Sequence, residues 1–230
     1  MAAISSGGAS VAASTTEVSF TEALMSRLKP GRAAISSKVH GLKFSLRASK
    51  KESAYFENSE LPVLFQALEH DVYRVLMLTA LKTGMRLGEL LALRWGDIDL
   101  QGETIRVRRS YKGKHEAGDV KNHERRTVDI TSDLGKMLGE WWGECDGPSD
   151  DHLVFAADDA SCLTPTTILR RVLYPAMKKA EIPRVGPTGE RRTFHSFRHT
   201  FAKRALEKGR QITWLSRYLG HSSVTVTLIV

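Results

Sequence analysis

The stretch Thr193-Phe-His-Ser-Phe-Arg-His-Thr-Phe-Ala202, near the carboxyl-terminal end of the chain, decides the fold. Apolar residues recur through and just beyond it at steps of three and four, which predicts a helix with one buried stripe: Phe194, Phe197, Phe201 and Ala205. His195 and Arg198 lie three positions apart and therefore project side by side from a neighbouring face of that helix. The helix is expected to present an imidazole and a guanidinium together.

A second segment follows closely and reads Leu215-Ser-Arg-Tyr-Leu-Gly-His221. Its pattern predicts a helix from Gln211 to Leu219, which Gly220 ends and after which His221 stands at the turn. Planar guanidinium forks and imidazole N–H groups match the oxygens of a phosphate. The two segments together are thus predicted to surround one phosphate with His195, Arg198 and His221.

A third motif lies upstream and reads Thr83-Gly-Met-Arg86-Leu-Gly-Glu89-Leu-Leu-Ala-Leu-Arg-Trp-Gly-Asp-Ile-Asp99. Gly84 permits a tight turn between two helices. Four leucines are expected to anchor the second of these helices in the core: Leu87, Leu90, Leu91 and Leu93. Arg86 is predicted at the start of that helix, where it either pairs with Glu89 on the same face or binds an anion.

Taken in their order along the chain, with the Arg86 motif first, these three motifs resemble the two conserved boxes of the tyrosine recombinases, the phage integrase family. The resemblance implies an α+β fold, namely a mainly helical catalytic domain with a small antiparallel sheet. It also implies site-specific DNA recombination on a mobile element. A tyrosine cleaves one DNA strand, a 3′-phosphotyrosine link forms, and a 5′ hydroxyl then attacks that link. Neither a metal nor a nucleotide cofactor is needed for this chemistry.

The resemblance assigns catalytic roles to Arg86, His195, Arg198 and His221, and it makes Glu89 the residue that holds Arg86. A family lysine lies in a hairpin before a strand that reads Arg-Thr-Val-x-Ile. Alternating apolar residues predict that hairpin over residues 103–130. Lys121 matches the lysine by position, with Lys112 and Lys114 as open alternatives: each would protonate the departing 5′ oxygen.

The nucleophile departs from the family pattern, in which a tyrosine follows the Leu-Gly-His histidine by about ten residues. None of the chain's five tyrosines follows His221: they are Tyr55, Tyr73, Tyr111, Tyr174 and Tyr218. Tyr218 is interpreted as a packing residue. The 230-residue chain is therefore expected to be truncated before its nucleophile and inactive by itself. Three alternatives remain: a non-catalytic DNA-binding protein derived from a recombinase, a helix-turn-helix regulator, and a type IB topoisomerase.

The chain is predicted to comprise three parts. Residues 1–19 are small and polar and predict a disordered tail. Residues 20–56 are interpreted as a basic linker or a remnant of a core-binding domain, and residues 57–230 as a carboxyl-terminally truncated catalytic domain. The linker contains four cations assigned to DNA binding: Lys43, Arg47, Lys50 and Lys51.

The composition favours a polyanionic partner, since the formal net charge is +8 and the pI is near 9.6. Two cysteines without CxxC spacing argue against a zinc site or a disulfide scaffold. No apolar run reaches the roughly 20 residues that a membrane span needs. Double-stranded DNA is the expected partner, in a homotetramer for the intact family and a monomer for this chain, in the cytoplasm with the nucleoid.

The remaining segments are predicted from periodicity and capping residues. Ser59 is expected to cap a helix through Leu68, and a second helix is expected from Asp71 to Thr83. Thr131 to Trp142 predicts another helix, and Leu153 to Phe155 a short buried strand. Thr164 and Pro165 are expected to begin a helix that continues through Ala176.

Overall fold

The structure is a computed structural model that describes residues 53–111, 113, 125–157 and 161–220, and the backbone of residues 117–119. Two predicted catalytic residues, Lys121 and His221, lie outside this described part, as do the alternatives Lys112 and Lys114. The same holds for the predicted DNA-binding cations: Lys43, Arg47, Lys50 and Lys51.

The chain forms a first group of helices, then a small β region, and then a second group of helices. The elements are α1 Glu60–Gln66, α2 Asp71–Thr83, α3 Leu87–Leu91, a 3-10 turn Trp95–Asp97, β1 Ile98–Asp99, β2 Thr104–Val107, β3 Arg109–Tyr111, β4 Ala117–Asp119, β5 Arg126–Asp129, α4 Ser132–Glu144, α5 Pro165–Thr167, a π-helical turn Ile168–Leu173, α6 Tyr174–Lys179, α7 His195–Glu207 and α8 Ile212–Leu219. None of the described helices is long and apolar enough to cross a bilayer.

The β region consists of two antiparallel pieces. β1, β2 and β5 form one sheet in that order, and β3 pairs with β4. Ile105 is opposite Val128, and both side chains are fully buried. The predicted mainly helical α+β fold with a small antiparallel sheet is therefore confirmed.

The core is built where α2 packs against α7 and α4. Leu76, Met77 and Ala80 of α2 are completely buried, as is Phe197 of α7. The stripe predicted on α7 is divided between two clusters. Phe194 and Phe197 belong to the main core, whereas the half-buried Phe201 packs with Leu215 and Leu219 of α8. α7 thus connects the core to α8, the helix that carries the second site segment.

Two local predictions were wrong. The Ser59 side chain makes no capping hydrogen bond; the Glu57 N–H donates instead to Glu60 Oε2 at 2.7 Å. Val154 and Phe155 are buried as predicted, but their segment forms only an isolated bridge between Arg94 and Leu153. Apolar side chains require burial, and they do not require a partner strand.

The helical segment from 165 to 179 begins as predicted, because the Thr164 hydroxyl accepts the Thr167 N–H at 3.2 Å. It then widens into the π-helical turn before Pro175. A proline inside a helix has no N–H to donate, and its ring clashes with the carbonyl one turn earlier. A wider turn at this point relieves that clash.

Candidate phosphate-binding site

The site begins at Gly84, where α2 ends in the left-handed conformation with φ +65°. A Cβ at this position would lie 2.7 Å from the Phe201 ring and 2.8 Å from Leu219 Cδ2. Only glycine combines this φ with so close an approach of α7 and α8. The predicted tight turn is present, and it places the carbonyl of Gly84 where it can accept a hydrogen bond from Arg198.

Arg86 is the residue that precedes α3, with φ −72° and ψ 149°. Its backbone N–H donates to Glu89 Oε2 at 2.9 Å, and its Nη1 donates to Glu89 Oε1 at 3.0 Å. Its Nη2 donates to the carbonyl of Gly220 at 3.1 Å. One third of the Arg86 side chain remains exposed, at 33%. The guanidinium is therefore held on two sides and open on another.

Arg198 lies deeper, with 2% of its surface exposed. Its Nη1 donates to Gly84 O at 2.7 Å, and its Nη2 donates to Leu219 O at 2.6 Å. Its buried Nε has no hydrogen-bond partner, and no carboxylate forms an ion pair with it, among the residues that the structure describes. Burial, together with the charge of Arg86, lowers the pKa of Arg198 to about 9. The guanidinium is still protonated at neutral pH.

The end of α8 brings the two arginines together. Leu219 O accepts from Arg198 and Gly220 O accepts from Arg86, so consecutive carbonyls hold the two guanidinium groups. These carbonyls form the negative end of the helix dipole and favour cations. Gly220 has φ +67° and ends α8 as predicted. The convergence of Arg86 and Arg198, 112 positions apart in sequence, is a property of the described fold.

Glu89 is 2% exposed and is shared by two arginines. Arg126 of β5 donates to it through both terminal nitrogens, Nη1 to Oε1 and Nη2 to Oε2, each at 2.8 Å. Burial by itself would raise the pKa of Glu89, but the hydrogen bonds and charge of Arg126, joined by Arg86, outweigh it and hold the pKa below its usual range. Glu89 is therefore an anionic anchor.

Sequence reasoning missed Arg126. The alternation held the signal, because Arg126 shares the period-two face of Val128 and Ile130, which are both buried. The register agrees: Arg126, the first residue of β5, is opposite the buried Val107, and Arg125 is exposed.

His195 is the first residue of α7, and its side chain is open to solvent at one edge. Its ring lies edge-on to the His199 ring, with centroids 4.7 Å apart. It lines a cleft of about 350 Å³ together with Thr193 and Ser196. Partial desolvation, with the charges of Arg198 and Arg86, lowers the pKa of His195 to about 4. The ring is thus neutral at pH 7, with one N–H available to an anion.

Tyr218 lies on α8 and is half-buried. Its ring stacks on Phe201 and Trp214, with centroid distances of 5.4 and 4.8 Å. Its hydroxyl donates to Asp129 O at 3.4 Å, and burial raises its pKa above the usual range. These contacts are those of a packing residue, as expected from the sequence.

The fold and the site define a class: an α+β domain in which two arginines converge at the end of α8, with a histidine on the helix that carries one of them. Among the described residues no group of three His, Cys, Asp or Glu side chains is arranged to hold a metal. The chain belongs to the phage integrase family, whose sequence model matches residues 54–229.

Relatives within that family include a tyrosine recombinase XerC-like protein of Caldanaerobacter subterraneus subsp. tengcongensis, 28% identical over 75% of this chain and 48% of its own length. The tyrosine recombinase XerC of Xanthomonas axonopodis pv. citri is 28% identical over 68% of this chain and 45% of its own length. The chain therefore spans about half the length of these relatives.

Solved structures agree with the family assignment. The crystal structure of XerA recombinase superposes with a TM-score of 0.62 at 26% identity, over 80% of this chain and 60% of that one. XerH site-specific recombinase, bound to palindromic difH substrate in a post-cleavage complex, gives a TM-score of 0.58 at 25% identity, over 76% of this chain and 48% of that one. The mainly helical tyrosine-recombinase catalytic fold is thus shown.

Proposed function

We propose that this chain is the phosphate-activating catalytic domain of a site-specific DNA recombinase, an integrase that works through a 3′-phosphotyrosine intermediate. One observation carries the proposal: the guanidinium groups of Arg86 and Arg198 are held by consecutive carbonyls, those of Gly220 and Leu219. The two positive charges repel one another, and a bound phosphate would relieve that repulsion.

Arg198 supplies most of the stabilisation in this proposal. Among the described residues its hydrogen bonds go to neutral carbonyls and no carboxylate pairs with it, so its charge is available to a phosphodiester that gains negative charge on becoming five-coordinate. Arg86 is the more exposed of the two cations, and it is proposed to bind the phosphate oxygens on the side away from Arg198. Preorganised donors of this kind are each worth about 10²–10³-fold in rate.

Proton transfer belongs to other residues. The tyrosine oxygen attacks phosphorus, the bond to the 5′ oxygen breaks, and the departing oxygen takes a proton. Lys121 is proposed as the donor, and the neutral His195 as a hydrogen-bond donor to a phosphate oxygen; His221 is proposed to join it. Glu89 is excluded as an acid or base, because its two oxygens are occupied by Arg86 and Arg126.

Tyr218 is a poor nucleophile in this proposal, because it is stacked, half-buried and bonded to Asp129 O, and the proposed nucleophile is a tyrosine that follows His221. We therefore propose that the 230-residue polypeptide holds DNA phosphate without cleaving it. Double-stranded DNA is the proposed partner, and XerH was solved with its difH substrate. Lys43, Arg47, Lys50 and Lys51 are proposed to follow its backbone. A tetramer on DNA for an intact form, and a monomer for this polypeptide, are part of the same proposal.

The test supplies a tyrosine appended directly after Val230, the tenth place after His221. This protein is incubated with a library of nicked duplexes in which the sequence is randomised, and covalent protein–DNA adducts are isolated. An adduct that disappears in Arg198→Lys, and persists in the control Arg170→Lys on the exposed side of the π turn, supports the proposal. Salt-sensitive binding with no adduct from the tyrosine-supplemented protein would favour the alternative, a non-catalytic DNA-binding protein.

A further inference from the structure

Arg126 carries an inference that rests on the function proposed above. Its side chain is 9% exposed, and both of its terminal nitrogens are bonded to Glu89. The parallel arrangement uses both carboxylate oxygens and fixes the plane of the carboxylate. The orientation of Glu89 is therefore set by a residue from β5, 37 positions along the chain.

Glu89 in turn holds Arg86 at two points, the backbone N–H and Nη1. One carboxylate oxygen, Oε1, receives both Arg126 Nη1 at 2.8 Å and Arg86 Nη1 at 3.0 Å. The three charged side chains are thus linked by hydrogen bonds, from Arg126 to Glu89 and from Arg86 to Glu89.

Arg126 also touches the second anchor of Arg86. A Cβ built on Gly220 would lie 3.3 Å from Arg126 Nη1 and 3.4 Å from its Cδ. Gly220 is the residue whose carbonyl accepts from Arg86 Nη2. Arg126 therefore bonds to Glu89 and lies beside Gly220, the two residues that orient the Arg86 guanidinium.

We infer that Arg126 is a positioning residue for phosphate activation, which acts by holding Glu89 and Gly220 in the places that aim Arg86. Its buried Nε has no hydrogen-bond partner among the described residues, but both terminal nitrogens bond to Glu89 and the side chain is only 9% exposed, so we expect it not to contact the DNA phosphate itself. A merely structural ion pair would contribute to folding but would leave Arg86 unaffected. The two roles are separable by experiment.

The pH dependence of an Arg126 variant provides that separation. Four charged or titratable groups face Glu89: Arg86 before α3, Arg126 on β5, and Arg198 and His195 on α7. β3 packs on the Gly88 side of α3 through Ser110 and Tyr111. Without Arg126 the burial of Glu89 raises its pKa, so the carboxylate takes up a proton as pH falls and releases Arg86. The defect should therefore grow toward low pH and shrink toward high pH.

The experiment uses the full 230-residue chain with ¹⁵N label and follows the Arg86 Nε–H signal by heteronuclear relaxation from about pH 8 to about pH 5. Arg126→Met removes the charge, Arg126→Lys keeps it but loses the fork, and Arg170→Met is the matched control. We expect Arg86 to be rigid in the parent and the control and mobile in Arg126→Met, most strongly at low pH. In the tyrosine-supplemented chain, adduct formation should fall about 10²-fold at low pH and recover as pH rises.

Each outcome either supports or overturns the positioning role of Arg126. An Arg86 signal that stays rigid in a folded Arg126→Met protein, or an adduct rate equal to the parent's, overturns the inference. If the parent itself forms no adduct, the proposed function fails, and the Arg86 relaxation data alone judge the positioning role. If Arg126→Met does not fold, Arg126→Lys decides: intermediate mobility of Arg86 supports the inference, and parent-like rigidity rejects it.

Discussion

Arg192 and Arg198 are six positions apart and almost equally buried, at 1% and 2% exposure, yet their surroundings differ. Arg192 donates to Tyr55 O, to Pro183 O and, at 2.7 Å, to the carboxylate of Glu60. Arg198 donates to Gly84 O and Leu219 O, and no described carboxylate pairs with it.

The difference separates a buried cation that is paired with a carboxylate from one that is not, and in the function proposed above the second awaits a bound anion. Arg192 is neutralised by Glu60, and the pair joins the segment at residue 55 to the chain before α7. Arg198 is held in place by neutral carbonyls, which orient it without cancelling its charge. A buried charge left uncompensated is costly, and it is expected where a bound anion completes the pairing.

The largest expected effect tests this distinction through activity. Arg198→Lys keeps a charge but loses the fork and should lower adduct formation by the tyrosine-supplemented chain about 10³-fold. Arg192→Lys should lower it less than about tenfold, because the described hydrogen bonds of Arg192 go to Tyr55, Pro183 and Glu60, none of which is proposed to bind phosphate. Single-turnover cleavage gels measure both. Equal losses of adduct formation in the two variants would mean that Arg198 has no catalytic role that Arg192 lacks.

Stability should show the reverse order. Arg192→Met leaves Glu60, whose side chain is only 19% exposed, without its partner and should cost about 3 kcal/mol of unfolding free energy. Arg198→Met removes an uncompensated charge and should cost less than about 1 kcal/mol. Urea denaturation followed by circular dichroism compares them. The double variant Arg192→Met with Glu60→Gln should regain part of the loss, and no regain would mean that the ion pair is not the cause.

A smaller effect is expected at Gly84, whose carbonyl holds Arg198. Gly84→Ala places a Cβ 2.7 Å from Phe201 at φ +65°, and should cost about 2–3 kcal/mol. Gly209→Ala is the matched control, because it has φ +78° with nothing within 4 Å of its Cβ and should cost about 1 kcal/mol. Thermal unfolding measures the difference between the two variants in lost unfolding free energy. Identical losses would show that only backbone strain matters at Gly84.

The smallest effect concerns the protonation of His195. Its pKa of about 4 lies below the ordinary value of 6.5, so the unfolded chain takes up the proton first. The contribution of this group to stability is therefore fully present above about pH 6.5 and decreases as pH falls toward 4. Proton NMR of the ring should give a midpoint near 4, which Arg198→Met should raise by removing a neighbouring charge. A midpoint unmoved by that variant would mean that Arg198 does not act on His195.

Sequence reasoning predicted several elements closely. The predicted bounds of α2, Asp71 to Thr83, are those observed, and the alternation at Ile105 and Val107 correctly indicated a strand. Such features depend on residues a few positions apart. The failures at Ser59 and at residues 153–155 also have local signals. The Ser59 hydroxyl makes no capping bond, and within the described part of the chain residues 153–155 find a single bridge, from Leu153 to Arg94, in place of a strand ladder.

The sequence by itself determined the family, the helical and strand periodicities, and the presence of Arg86, Glu89, His195 and Arg198 as candidates. Only the tertiary structure decided which charges are compensated. That choice depends on partners 134 positions away for Arg86 and 114 for Arg198, and on the pairing of Glu89 with Arg126, 37 positions further along the chain. Local propensity acts over a few residues, whereas the cost of a buried charge is settled by whatever the fold brings beside it.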